Sequence, residues 1–501
     1  MTGPTDPALE PAVVDAIGAD LREAGYTIDG VAELLGEQAN AALGRGVWWP
    51  VLRATRAAPA GRQRLAVLIR LFLLGAEEPH EQAQAALPST PLATLAAAGV
   101  LEISGGMVRA ALDIRPHSDG VREFYVVSDQ DAALRSGPLR HDHVLGIGAA
   151  SMSLARAVVR TPVGRALDLG TGCGIQALHL DAHCAQIVAT DTNDRALALA
   201  AATARLNGMS WDLRAGSLFE PVAGERFDLI VSNPPFVVGS GARDYIYRDS
   251  GVAGDALCQS IIEQIPDHLN PGGTAHIMAN WVVRGDDWRD RVRGWLAGTG
   301  LHAWVVQREL ADPVSYVSLW LSDAGETPEQ AAQRGGPWLD WFAEQGITGI
   351  GMGMISLRKP YGDEALEQIL EEITGADELV TGPEVDAFFA RRAYLRGTGD
   401  DELLGARLST APVFLEEQFL PGPDGWQSLG AAVRRPGGPG AIIGVDEVLR
   451  ALMAGCRGEV PLGTLIELLA AHHGVDADAL TRAALPEVRG AIGRGILYQA
   501  E

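Results

Sequence analysis

An apolar run that breaks into a turn with glycine at every second position constrains the fold of this chain more tightly than any other feature. It reads Ala166-Leu167-Asp168-Leu169-Gly170-Thr171-Gly172-Cys173-Gly174-Ile175. Glycine reaches the left-handed backbone region at no steric cost and lets the main chain approach a ligand closely. The segment is therefore expected to be a buried strand, a tight turn and the start of a helix, whose free amides favour negative charge. The spacing G-x-G-x-G differs from the G-x-G-x-x-G of dinucleotide sites. Asp168 just before it suits an amino-acid moiety better than a phosphate. The next candidate strand ends in Val188-Ala189-Thr190-Asp191, where a carboxylate can accept both hydroxyls of a ribose. A bound nucleoside satisfies both features.

Around this turn, short apolar strands alternate with helices, the pattern of βαβ units and a parallel sheet. Strands are expected over Arg165–Leu169, Gln186–Thr190, Phe227–Val231 and Thr274–Ala279, with helices over Asp194–Leu206 and Asp255–Leu269. Leu301–Arg308 and Ile347–Leu357 read as two last strands, separated by a helical insertion whose Trp338, Trp341 and Phe342 have the spacing of core residues. The chain has 501 residues, beyond the roughly 250–300 at which one hydrophobic core stops growing, so further domains are expected. Residues 1–118 read as a helical domain, with helical spacing through Val13–Leu34 and Leu65–Leu74. It ends in a helix over Thr90–Val100 and a glycine-turned hairpin over 101–110, similar to a winged-helix module. Residues 119–360 form the α/β domain. Residues 361–501 read as an acidic helical domain that crosses a Pro/Gly-rich stretch, Pro421–Gly440, into a last module over Val445–Leu497. There Leu465–His473 and Ala477–Ala484 read as a helix-turn-helix-like pair.

A second motif, Asn233-Pro234-Pro235-Phe236, directly follows the strand Phe227–Val231. Two prolines stiffen the turn and remove backbone donors, which leaves carbonyl oxygens free as acceptors beside the Asn233 amide. A planar NH₂ group held between Asn233 Oδ1 and the Pro234 carbonyl would have its lone pair oriented for in-line attack, with Phe236 placed to stack on a flat substrate.

Together the two motifs resemble S-adenosylmethionine-dependent methyltransferases with a seven-stranded Rossmann-like sheet. The resemblance is to the branch carrying N-P-P-[YF], which includes release-factor glutamine methyltransferases and enzymes that methylate exocyclic amines of nucleic-acid bases. It covers about half the chain, residues 120–360. It implies that Asp168, Gly170, Thr171, Gly172 and Gly174 line the methionine part of the cofactor, Asp191 holds the ribose, and Asn233, Pro234 and Phe236 receive the target nitrogen, Asn233 also facing the cofactor. The branch usually places an acidic residue against the adenine amine after the third strand. Here Arg214-Ala215-Gly216-Ser217-Leu218-Phe219 puts Ser217 there, so adenine would rely on Ser217 and the Leu218 amide.

Other features leave alternatives open. Arg140-His141-Asp142-His143 is either a source of a base or metal ligands or a polar lip. Tyr245-Ile246-Tyr247-Arg248-Asp249 is either a substrate lid or an ordinary loop. Residues 38–76 contain no Asp or Glu but carry Arg45, Arg53, Arg56, Arg62, Arg64 and Arg70 with Trp48 and Trp49. Such a segment suits nucleic acid or an acidic partner, or else docks on the protein's own acidic surface.

Hydrophobic residues at 47% and charged residues at 21% describe a globular chain. A net charge of 40 − 64 = −24 disfavours a non-specific nucleic-acid coat protein. Cys173, Cys184, Cys258 and Cys456 form no C-x-x-C pair, which argues against a zinc knuckle or a disulfide framework. No basic-then-apolar leader and no run of about 18 apolar residues is visible, so a cytoplasmic protein without a membrane span is expected. The expected function is methyl transfer from S-adenosylmethionine to a planar sp² nitrogen: a protein glutamine amide or a base amine. A small-molecule acceptor methylated at N or O is the alternative, and a non-catalytic binding scaffold a minor one.

Overall fold

The computed structural model describes all residues except 1–8, 132–133, 135–139, 242–245, 247–248, 374, 376–377, 424 and 501. They form two compact units. The first comprises Met1–Ala155, Thr161–Gly300 and Leu310–Met352, and the second Arg156–Arg160, Leu301–Glu309 and Gly353–Glu501.

The first unit is built on five parallel strands: β1 (Val163–Leu169), β2 (Cys184–Asp191), β3 (Asp212–Ala215), β4 (Phe227–Ser232) and β5 (Leu269–Val283). Their order is β5-β4-β1-β2-β3. Helices α1 (Ile175–Leu180), α2 (Asp194–Leu206) and α3 (Ala256–His268) connect them, followed by α4 (Pro313–Asp323) and α5 (Pro328–Glu344). The near-continuous apolar runs of β1 and β4 suit strands covered on both faces, and Ala166, Leu167, Leu229, Ile230 and Val231 are fully buried. Because β1 lies between β2 and β4, the strand order reverses there, and ligands of open α/β sheets bind at such a switch point. Register makes this concrete. Leu169 pairs with Thr190 on one side and Ser232 on the other, so the glycine turn, Asp191 and Asn233 emerge side by side at the carboxyl ends of three adjacent strands.

Earlier in the same unit, three helices span Pro11–Glu23, Ile28–Gly44 and Trp48–Arg56. Next comes a helix over Gln63–Leu68 that relaxes into a π turn at Ile69–Leu73, then a short strand Glu78–Pro79 and helices His80–Ala86 and Leu92–Ala97. The hairpin of Leu101–Ser104 with Met107–Ala110 follows, and Glu78–Pro79 pairs with its second strand. Gly105 and Gly106, both at positive φ, close this hairpin as two-residue turns require. A helix, a strand, two helices and a hairpin thus follow one another in this segment. Leu112–Ser118 and Glu123–Asp129 add a separate two-stranded ribbon. It is tied to α2 by the Asn207 side chain, which accepts from the Tyr125 amide and donates to its carbonyl.

In the second unit, Ala303–Gln307 pairs in parallel with Gln368–Glu372. The helical core holds Leu462, Ile466, Val488 and Ile492, contributed by Leu462–His473 and Ala477–Gly493, with Gly474 in the left-handed conformation between these two helices. The Pro/Gly-rich stretch differs from its sequence reading. Phe414–Gly422 and Gly425–Arg434 are long antiparallel strands, and Ile442–Val445 pairs with the second of them. Phe414, Leu415, Phe419, Leu420, Trp426 and Leu429 on this ribbon are exposed. No helix among the described residues is long and apolar enough to cross a membrane.

Candidate active site

The turn after β1 holds Gly170, Gly172 and Gly174 at φ of 76°, 55° and 85°. The amides of Gly170 and Thr171 both donate to the Thr190 carbonyl at 2.9 Å, which fastens the turn to β2. A Cβ on Gly170 or Gly172 would meet nothing within 4 Å, whereas one on Gly174 would lie 2.6 Å from the Trp211 ring. The first two glycines thus serve backbone conformation beside open space, and the third serves close packing. Asp191, at the end of β2, accepts the Gly172 amide on Oδ2 and the Asn193 amide on Oδ1, each at 2.9 Å. Its carbonyl accepts the Gly216 amide at 3.0 Å, which brings the end of β3 to the same place. There Leu218, at φ 49°, is the one non-glycine residue with positive φ among the described residues, next to an exposed Ser217.

Asp168 is fully buried beneath the turn. Its Oδ2 accepts the Thr171 hydroxyl at 2.6 Å and the Ala177 amide at 3.0 Å, while Oδ1 has no hydrogen-bond partner. Burial, aided slightly by the nearby Asp191 charge, pushes this carboxyl up to about 7 against the lowering effect of those two hydrogen bonds. A buried carboxylate oxygen without a donor fits a cationic ammonium group. Asp191 and the open space over Gly170 and Gly172 fit a ribose and its attached groups, so the residues present suit S-adenosylmethionine.

At the end of β4, Asn233 donates from Nδ2 to Ser151 Oγ at 3.2 Å, and its Oδ1 is buried with no hydrogen-bond partner. Pro234 is buried and Phe236 half-buried, the latter edge-to-face with Trp320 at 6.1 Å between ring centroids. The chain beyond is pinned by the helical insertion. The Val238 amide donates to Tyr316 Oη at 2.9 Å, and Trp338 Nε1 donates to the Val238 carbonyl at 3.0 Å. Phe342 is buried in the core as its spacing indicates, while Trp338 additionally positions this loop. A cavity of about 320 Å³ opens beside it, lined by Val237, Gly239, Asp249, Arg334 and Trp338 among others. Of the candidate lid, Tyr245, Tyr247 and Arg248 lie outside the described residues, and the Ile246 amide donates to the His141 carbonyl at 3.0 Å.

The Arg140–His143 segment meets the residues that follow β2. Asn193 Nδ2 donates to the Asp142 carbonyl at 3.0 Å, and Arg140 makes two 2.7 Å bonds to the Asp142 carboxylate. His143 is buried 3.7 Å from Asp129, itself ion-paired with Arg195. No group of three metal-ligating side chains occurs among the described residues. Sequence reasoning missed Ser151, Asn193 and Gln176, whose Nε2 donates to the Ser151 carbonyl at 2.7 Å. Of these only Asn193 carried a local signal, as the cap of α2.

Residues 145–288 match the family described as Methyltransferase small domain. This segment is a methyltransferase domain. The segments flanking the methyltransferase domain, 23–111 and 386–499, match two domains of unknown function, DUF7059 and DUF7782. A release factor glutamine methyltransferase of Geobacter sulfurreducens is 38% identical over 23% of this chain and 46% of its own. A ribosomal RNA small subunit methyltransferase C of Salmonella arizonae is 31% identical over 27% of this chain and 36% of its own. The chain thus spans about half the length, or less, of these curated relatives. Among solved structures, a ribosomal protein L11 methylase from Lactobacillus delbrueckii subsp. bulgaricus is 24% identical, covering 32% of this chain and 72% of its own at a TM-score of 0.24.

Proposed function

We propose that this chain transfers a methyl group from S-adenosylmethionine to a planar sp² nitrogen. The observation that carries the reading is Asn233 Oδ1, a buried acceptor without a partner, set at the carboxyl end of β4 one strand from the glycine turn. When bound, the cofactor supplies an electrophilic methyl group on a sulfonium. Asp168 holds its ammonium group, Gly170, Thr171, Gly172 and Gly174 line its methionine part, Asp191 takes the ribose hydroxyls, and Ser217 and Leu218 face the adenine. Asn233 Oδ1 and the Pro234 carbonyl each accept one N–H of the target, which turns its lone pair toward the methyl group, and Phe236 packs on the target plane. The proton leaves after attack, so orientation rather than a strong base lowers the barrier.

The named relatives modify a release-factor glutamine and a ribosomal RNA, and both acceptor classes, amide and base amine, present the planar NH₂ that Asn233 suits. The 320 Å³ cavity beside Gly239 favours a second reading, a small-molecule acceptor, because it lies in the usual range for such pockets. We assign the chemistry to residues 119–360, with 1–118 and 361–501 as flanking segments. The four unpaired cysteines support a cytoplasmic setting. The test is incubation of the whole protein and labelled S-adenosylmethionine with fractionated lysate. Label entering protein or nucleic acid supports the proposal, and label in small molecules supports the second reading. Cofactor binding without any transfer would leave a binding scaffold.

A further inference from the structure

The basic segment 38–76 divides in two. Arg62 pairs with Glu33 at 2.8 Å, and Arg64 with Asp20 and Glu23, both at 2.8 Å. Arg70 makes a buried two-pronged pair with Glu78 at 2.6 and 2.8 Å. These three hold the N-terminal module together, as self-docking requires. Arg45, Arg53 and Arg56 do not share that role. All three are exposed and have no carboxylate partner among the described residues.

Helix geometry gathers them. Positions 49, 53 and 56 fall on one face of Trp48–Arg56, opposite buried Val51 and Thr55, and Arg45 caps the C-terminus of the preceding helix, three residues before Trp48. Trp49, on that face, is 69% exposed. A large indole left in water among three unpaired guanidinium groups has no use in the core, since the buried side of the helix is already filled. The potential is local: no Asp or Glu occurs from Gln38 to Ala76. A screening length of about 8 Å at physiological salt keeps the −24 net charge from cancelling the cluster. The Leu92–Ala97 helix, where a winged-helix module would meet a duplex groove, carries no basic residue.

We propose that the face formed by Arg45, Trp49, Arg53 and Arg56 binds single-stranded RNA, the guanidinium groups meeting phosphates and Trp49 stacking on an unpaired base. Cations with an exposed aromatic ring are the elements by which single strands are held without sequence preference. The commitment to RNA rests on the methyl-transfer reading and on the ribosomal RNA methyltransferases among the relatives.

The test is fluorescence anisotropy of the full chain, without cofactor, against a labelled unstructured 20-nucleotide RNA and its DNA counterpart over a range of salt. We expect RNA binding, a loss of affinity on the order of tenfold in Trp49→Ala, and a salt slope shallower by about 2 in Arg45→Gln/Arg53→Gln/Arg56→Gln. All four positions are exposed, so melting temperatures stay at the wild-type value. Absence of RNA binding, a preference for DNA or variants that bind RNA like the wild type would each overturn the proposal. Calorimetry with S-adenosylmethionine on the same variants separates the two readings, because loss of RNA binding with intact cofactor binding leaves the active-site proposal standing.

Discussion

The main-chain amide of Gly172 donates to Asp191 Oδ2 at 2.9 Å, so the glycine turn and the acidic end of β2 form one unit. Each carboxylate oxygen of Asp191 is oriented by a backbone amide before any ligand arrives. This pre-organisation lets a diol bind without freezing the side chain anew.

Asp191→Ala is expected to weaken S-adenosylmethionine binding by about 1.5–3 kcal/mol, the scale of a lost charge-assisted partner. Calorimetry with wild-type affinity would remove Asp191 from the site.

Asp168 gives the site a pH dependence. Its folded-state value of about 7 lies above the ordinary carboxyl range. Between about pH 4 and 7 the folded chain holds a proton that the unfolded chain has lost, so this group's contribution to stability falls as pH rises through that window. An ammonium group at Oδ1 favours the ionised form, so cofactor affinity should fall as pH drops below 7, with proton release on binding. Asp168→Asn should flatten both dependences. Melting curves and calorimetry in buffers of different ionisation enthalpy check this.

The glycines should separate by role. Gly172→Ala forces a side chain into positive φ, at a cost of about 1–2 kcal/mol, but meets no protein atom. Cofactor binding should be lost while the fold survives. Gly174→Ala drives a Cβ into the Trp211 ring and should lower the melting temperature further. Circular dichroism melts paired with cofactor titration distinguish the two, and an equal effect of both variants on stability would contradict the division.

Asn233→Ala should leave the cofactor dissociation constant within about twofold yet reduce turnover by on the order of a hundredfold, as expected for an interaction realised mainly in the transition state. Single-turnover methyl transfer beside cofactor titration is the measurement. A parallel loss of both would place Asn233 in the cofactor shell, and no change in either would point to an oxygen or sulfur acceptor.

Local chemistry made parts of this molecule legible in advance. Helix Asp194–Leu206 was readable to the residue because its apolar spacing is regular. The turn and Asn233 were readable because their roles are written in consecutive residues. Ser151 was not, since it meets Asn233 across 82 residues. Nor was the anchoring of Val238 by Tyr316 across 78. The strands near Pro421–Gly440 were hidden because glycine and proline there punctuate a ribbon rather than a linker. The arginines of 38–76 looked alike in one dimension, and only the placement of Glu33, Asp20 and Glu78 told docked from free.

The ribbon of the second unit bears on how the protein behaves at high concentration. Strand Phe414–Gly422 pairs on one side with Gly425–Arg434, and its other edge offers backbone groups to any strand that arrives, with exposed Phe419 and Leu420 to reward it. Three devices blunt that edge. A register shift falls between Gln418 and Phe419, Pro421 lacks a donor, and Glu416 and Glu417 are held by Arg434 at 2.6 Å and Arg450 at 3.0 Å. Replacing Glu417 and Pro421 by valine should turn the ribbon into a seed for self-association, visible as concentration-dependent light scattering. The same proline that disguised the strand in the sequence is therefore part of what keeps the molecule apart from its copies.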